Sequence, residues 1–195
     1  MKLLSAFIIL FIAAPRAFGQ STQTFTVTPR FTTLRNAELP PHIKDQIAHV
    51  YSTWFSSPSD PPYLLPKEVV LDFNVSFPHL ANHGRQVILL ESTGTYADAT
   101  GNGQMWFFLR SGNSVRLILY ASGFLFYPSH SYDVPHPVYR DGLRDIAIGW
   151  NMSSSEDGIH VYRFNGHDYI SDYCDSYNTN DSGNTKLGQH EKCEN

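Results

Sequence analysis

The chain has 195 residues, of which 14% are aromatic and 16% charged, and a formal net charge of −4. That length and apolar content suffice for one domain with a sizeable core and do not fit a disordered chain. A negative balance without a Lys/Arg cluster excludes nucleic-acid binding driven by phosphate neutralisation, and equally a basic amphipathic face for anionic membranes.

In chain order, Lys2 precedes an oily run from Leu3 to Ala14, which Pro15-Arg16 break. Ala17-Phe18-Gly19 then put small residues where a signal peptidase would cut before Gln20. The run is shorter than the roughly 20 apolar residues of a membrane helix. Residues 1–19 are therefore expected to be a signal peptide, and the mature protein to be secreted or periplasmic with no integral membrane segment. Losing Lys2 and Arg16 leaves 12 basic against 18 acidic residues, a net −6.

Residues 20–38 alternate weakly at Phe25, Val27 and Phe31 and read as an N-terminal arm or edge strand. Residues 39–172 read as a single β-rich domain that opens with a helix. Pro40-Pro41 suit its first turn, and Ile43, Ile47, Val50, Tyr51 and Trp54 recur at helical spacing. A Ser/Pro/Asp cluster from Ser56 to Pro62 ends it. Strands are predicted at Val69–Val75 and, from an unbroken apolar run, at Gln86–Ser92. Met105–Arg110 and Val115–Ala121 flank Ser111-Gly112-Asn113-Ser114 as a hairpin. Phe124–Tyr127 adds a further strand, and a polar loop spans 128–142. Leu143–Gly149 and Ile159–Phe164 follow. Asn165-Gly166 signals a two-residue type I′ turn, with Tyr169 and Ile170 in the returning strand. Residues 173–195 form a polar tail holding the chain's two cysteines, Cys174 and Cys193. In an exported protein such a pair is expected to be a disulfide. The fold class is α+β, mainly antiparallel: a meander of hairpins with one N-terminal amphipathic helix packed on it.

Two blocks echo each other. Arg85–Leu89 aligns with Arg144–Ile148, and Met105–Gly112 with Ile159–Gly166. The second block, Asp141–Gly149 followed by Gly158–Phe164, resembles one blade of FG-GAP or VCBS-type repeats, and the C-terminal half of small exported bacterial proteins of unknown function. The resemblance implies β-blades and, in many members, calcium held in an acidic loop before the Asp-Gly. Val138, Tyr139 and Arg140 stand where that loop should offer oxygen ligands, so calcium is not expected here. Two blocks are also fewer than the four or more blades of a propeller.

Candidate chemistry is sparse. His130, Asp133 and His136 stand three apart on a Pro-punctuated loop, a spacing that could approach zinc but supplies no third histidine. No His-Glu-x-x-His, Gly-x-Ser-x-Gly or phosphate-cradling motif occurs. Among the acids, Glu91, Asp145, Glu156 and Asp157 have no spacing that pairs them across a cleft. Aromatic residues offer flat surfaces for a glycan or protein, and Trp106, Phe108, Tyr120, Tyr162 and Tyr169 are among those in the strands. Trp150, at a strand end beside a Ser/Asn loop, is the leading binding candidate, joined by Tyr132, Tyr139, His130, Asp133 and His136. No metal and no cofactor is expected. The expected function is an exported, non-catalytic binding or inhibitory module acting on an extracytoplasmic protein or glycan. The alternatives are a secreted hydrolase using the loop His/Asp residues and a structural envelope protein.

Overall fold

The computed structural model describes residues 31–52, 61–81, 84–93, 96, 102–125, 139–151, 156–179 and 185–193. Its N-terminal elements are β1 (Thr32–Thr33), α1 (Pro41–Ile47), β2 (Tyr51–Ser52), β3 (Tyr63–Leu64), α2 (Lys67–Val70) and β4 (Asn74–Ser76). A meander follows: β5 (Gln86–Glu91), β6 (Gly103–Ser111) and β7 (Ser114–Leu125). After the small hairpin β8 (Tyr139–Arg140) and β9 (Leu143–Arg144) come β10 (Ile146–Asn151), β11 (Glu156–Phe164), β12 (Tyr169–Thr179) and β13 (Thr185–Glu191). Nine strands form one antiparallel sheet in the order β1-β4-β5-β6-β7-β10-β11-β12-β13, so the fold is mostly antiparallel β with few helices.

The expected helix is shorter than its apolar spacing suggests. Pro41 sits in the first turn, Ile43 and Ile47 are buried one turn apart, and the helix closes at Ala48. Val50 is buried too, but its carbonyl accepts a hydrogen bond from Leu65 N, and Tyr51 pairs with Leu64 in a separate ribbon. β-branched and aromatic side chains favour such a ribbon over another helical turn. Trp54 lies outside the described residues. The strand expected over Val69–Val75 is also divided, into the helical turn α2 behind Pro66 and the short β4. Val70, Phe73 and Val75 are all buried, so apolar content alone did not separate turn from strand.

The two-residue type I′ turn expected at Asn165-Gly166 does not form there. Only Gly166 has positive φ in the Asn165–Asp168 segment, and Phe164 pairs with Tyr169, which makes a four-residue loop. Asn165 Oδ1 accepts from the backbone N–H groups of His167 and Asp168, so its amide stabilises the loop instead of entering the left-handed region. The tight turn with positive φ at both central residues is Asp141-Gly142, between β8 and β9. Where the composition turns polar after residue 173, the chain continues as strand, and β12 and β13 pair along the sheet edge.

The sheet is covered on both faces. Ile88, Leu90, Trp106 and Phe108 pack under α1 and the N-terminal segments, with Leu34, Ile43, Ile47, Val50, Leu65, Phe73 and Val75. Gln46 of α1 fixes the helix to the β6–β7 turn through Val115 N and Asn113 O. The alternate residues Val87, Leu89, Met105, Phe107 and Ala121 face inward, against Ile146, Ile148, Phe164 and Tyr169 of the second half. For that contact the sheet must curl. β7 is the corner strand: it pairs with β6 over most of its length and with β10 only at Phe124 and Leu125. Gly123, at φ +136°, passes so close to the Gly149 carbonyl that a Cβ would collide with it. The curl ends where Ala81 bridges Leu143 and Arg144 N donates to Leu80 O.

The echo between the two sequence blocks extends to geometry. β5, β6 and β7 have 6, 9 and 12 residues, and β10, β11 and β12 have 6, 9 and 11. Both meanders carry a register shift at the same aligned point, between Phe107 and Phe108 in one and between Val161 and Tyr162 in the other. The first strands align one residue differently from the sequence match, because Ile88 pairs with Phe108 and Ile146, not Ala147, pairs with Tyr162. β10 lies three antiparallel strands beyond β5 and runs the opposite way, so equivalent side chains emerge on opposite faces. Trp106 opposite Tyr120 is under the N-terminal cover; its counterpart, His160 opposite Cys174, is on the inner face.

Candidate functional site

The first meander builds a recess of about 270 Å³ lined by His49, Val50, Tyr51, Pro62, Trp106, Phe108, Leu117 and Tyr120. Trp106 forms its wall, stacked between Phe73 and Tyr120 at ring-centroid distances of 5.8 and 5.5 Å. Its indole N–H donates to Tyr51 O at 3.1 Å, which ties the β2–β3 ribbon to β6. The mouth is apolar and open: Tyr51 is 57% exposed and Leu117 45%, and Leu64, which pairs with Tyr51 in the ribbon, is 47% exposed. Exposed apolar residues gathered at one mouth mark contact surfaces, whereas scattered ones do not.

Behind the recess lies a buried polar network. Gln104, on the same face of β6 as Trp106, accepts at Oε1 from Ser52 Oγ and from Tyr120 Oη. Its Nε2 is buried with no hydrogen-bond partner. Whichever way the amide is turned, one of its polar atoms is left over. Tyr63 is exposed, yet partial desolvation raises its hydroxyl above the usual phenol range, with the nearby Tyr96 and Tyr120 adding to it and the hydrogen bond with Ser52 opposing it. Tyr63, Tyr120 and Ser52 thus bring hydroxyl groups close together beside an apolar mouth.

The second meander presents a different group at the equivalent strand positions. His160 Nδ1 and Tyr162 Oη are 2.9 Å apart, and His160 Nε2 and Ser171 Oγ 2.8 Å apart. The imidazole stacks on Tyr162 at 4.0 Å and meets the edge of Trp150 at 6.2 Å. Burial lowers its pKa, so the ring is neutral near pH 7. Cys174 is its cross-strand partner and is disulfide-bonded to Cys193, with Cα atoms 5.1 Å apart. The ligand atoms of His160, Cys174 and Cys193 lie within 4.8 Å of one another.

A hydroxyl–imidazole–hydroxyl chain has the order of nucleophile, base and orienting group in a hydrolase. Here the third member is a phenol whose pKa burial pushes up to about 12. It carries no charge to stabilise an imidazolium, which is what the buried carboxylate of a Ser-His-Asp triad provides.

Trp150 is half-buried and lies flat over Gly158, where a Cβ would fall inside the indole. Tyr139 is placed by its backbone in β8, opposite Arg144. Tyr132, His130, Asp133 and His136 lie outside the described residues, as do the Gly19/Gln20 cleavage site and the Leu3–Ala14 run. Trp106, Phe108 and Tyr120 were in the aromatic set read from sequence; Tyr51, Leu117 and His160 were not. Their signal was weak because a lone Tyr at the end of an apparent helix, or a lone His in a strand, has no local pattern.

No helix among the described residues is long and apolar enough to cross a membrane. No family model matches the chain, and no curated protein or solved structure is found to be similar to it.

Proposed function

We propose that this protein is an exported, non-catalytic binding module whose recess takes an apolar side chain from an extracytoplasmic protein partner. The observation that carries this reading is the aromatic recess with Tyr51 and Leu117 exposed at its mouth. A preformed concave site with few polar groups suits an apolar anchor, since water leaves such a surface at little cost. The Cys174–Cys193 disulfide is consistent with work in an oxidising compartment.

The test is titration of the purified protein with two panels, one of peptides carrying single Leu, Phe or Trp anchors and one of neutral oligosaccharides, followed by Trp fluorescence and calorimetry. Leu117→Asp should weaken peptide binding about tenfold or more, the usual scale for a charge placed at an apolar contact. Binding by oligosaccharides alone would transfer the site to a glycan. Binding by neither panel, or equal affinity in Leu117→Asp, would sink the reading.

A hydrolase on different residues from the loop His/Asp set is a second reading, and it draws on the Ser171–His160–Tyr162 chain. A fluorophosphonate probe, which attaches covalently to an activated serine, separates the two. No label at Ser171 is expected; stoichiometric label lost in His160→Ala would favour the enzyme.

A further inference from the structure

We propose that the Cys174–Cys193 disulfide and His160 form a redox-switched zinc site, closed as a disulfide and opened to Zn²⁺ by reduction. The donor set is two sulfurs and one imidazole nitrogen, which suits a borderline-soft divalent ion. Tetrahedral coordination with Zn–S near 2.3 Å and Zn–N near 2.0 Å places ligand atoms roughly 3.5 to 3.8 Å apart. The three ligand atoms already lie within 4.8 Å of one another, so the approach requires side-chain rotation and no rearrangement of strands. Cys174 and His160 are held as directly paired residues of β12 and β11, while Cys193 follows the end of β13 and supplies the adjustable arm.

The imidazole is also set as a metal ligand usually is. Metal-bound histidines ordinarily give their second nitrogen to a hydrogen-bonding group that fixes ring and tautomer. Each nitrogen of His160 has such a group, Tyr162 Oη on Nδ1 and Ser171 Oγ on Nε2, so either can bind the ion while the other keeps its partner. The fourth position falls to water or to Ser171 Oγ.

An external dithiol gives two electrons and two protons to the S–S bond and leaves as its own disulfide, producing the thiols of Cys174 and Cys193. Zn²⁺ then displaces both thiol protons. On return, an external disulfide accepts two electrons from the two thiolates and two protons from water, leaves as two thiols, and so restores the Cys174–Cys193 bond and releases the ion.

The experiment uses the full chain, either air-oxidised or reduced with a phosphine and freed of excess reagent under anaerobic conditions. Each form is titrated with Zn²⁺ against a chromophoric chelator and with Co²⁺, whose thiolate charge-transfer band reports sulfur ligation. The reduced protein should take one equivalent with sulfur ligation, and the oxidised protein none. Cys193→Ser should abolish the thiolate-rich site, and His160→Ala should weaken the reduced protein's affinity about tenfold or more. Far-ultraviolet circular dichroism of each form checks that the sheet is intact. Absence of stoichiometric metal in the folded, reduced protein would overturn the proposal. So would affinity unchanged in His160→Ala, because zinc would then be held by thiols alone.

Discussion

At the scale of single residues, Glu91 is the most exacting test of the core. It ends β5 on the inner face, in line with Val87 and Leu89 and directly opposite Met105. Burial pushes its carboxyl up to about 7. A raised carboxyl favours the protonated form in the fold, so its stability contribution is complete below the unfolded value near 4.5 and is lost as pH rises through 7. The loss is on the order of 2–3 kcal/mol between those limits. Urea midpoints measured from pH 4 to pH 8 should fall along that window in the wild type, and Glu91→Gln should flatten that part of the profile. Parallel profiles for the two proteins would mean that the carboxyl is hydrated. Sequence pointed to Glu91 only as one acid among several, since nothing in a run of Val, Ile and Leu announces which end dips into a core.

At the scale of elements, α1 shows what a hydrophobic period can and cannot establish. Ile43 and Ile47 face the core as their spacing required, and the helix stops before Val50 because the ribbon of β2 and β3 claims the next residues. Ile47→Ala should cost about 2–5 kcal/mol, the range for emptying a fully buried aliphatic site. Lys44 is a poor control, because its ammonium donates to Arg35 O at 2.7 Å. The exposed His42 is the better one, and His42→Ala should stay within about 0.5 kcal/mol. Chemical denaturation of both variants checks the contrast; equal small losses would mean that the helix is not docked. The strands from Gln86 to Ala121 were legible from unbroken apolar runs and a Gly-containing turn. The exact turn geometries were not, because they depend on which side chain takes up the free backbone N–H groups.

At the scale of the molecule, the curl of one sheet makes two structures out of one meander. The first half is sealed by α1 outside and by the second half inside, whereas β12 past Tyr169 and β13 extend beyond that shared core. Cys174–Cys193 fastens this outer edge, closing a segment with a sequence separation of 19. Reduction in the absence of metal should destabilise the protein by about 3 kcal/mol on the chain-entropy account. Amide exchange should quicken in β13 first, while β5–β7 keep their protection. Equal acceleration in β6 would show that the edge and the core unfold as one unit.

Local chemistry decided the mostly antiparallel β architecture, the hairpin at Gly112-Asn113, the buried strand at Gln86–Glu91, the cysteine pair and the echo between the two blocks. Each is set by side-chain period, turn residues or compartment chemistry within a short stretch of chain. The recess and the His160 cluster were decided only by tertiary structure. Tyr51 meets Trp106 across 55 residues because the ribbon after α1 packs on one face of β6, and His160 meets the paired cysteines because the register of β11 on β12 sets it opposite Cys174. No local pattern encodes those meetings: they follow from strand register and from which segment packs on which face of the sheet, and both are fixed by packing over the whole sheet at once.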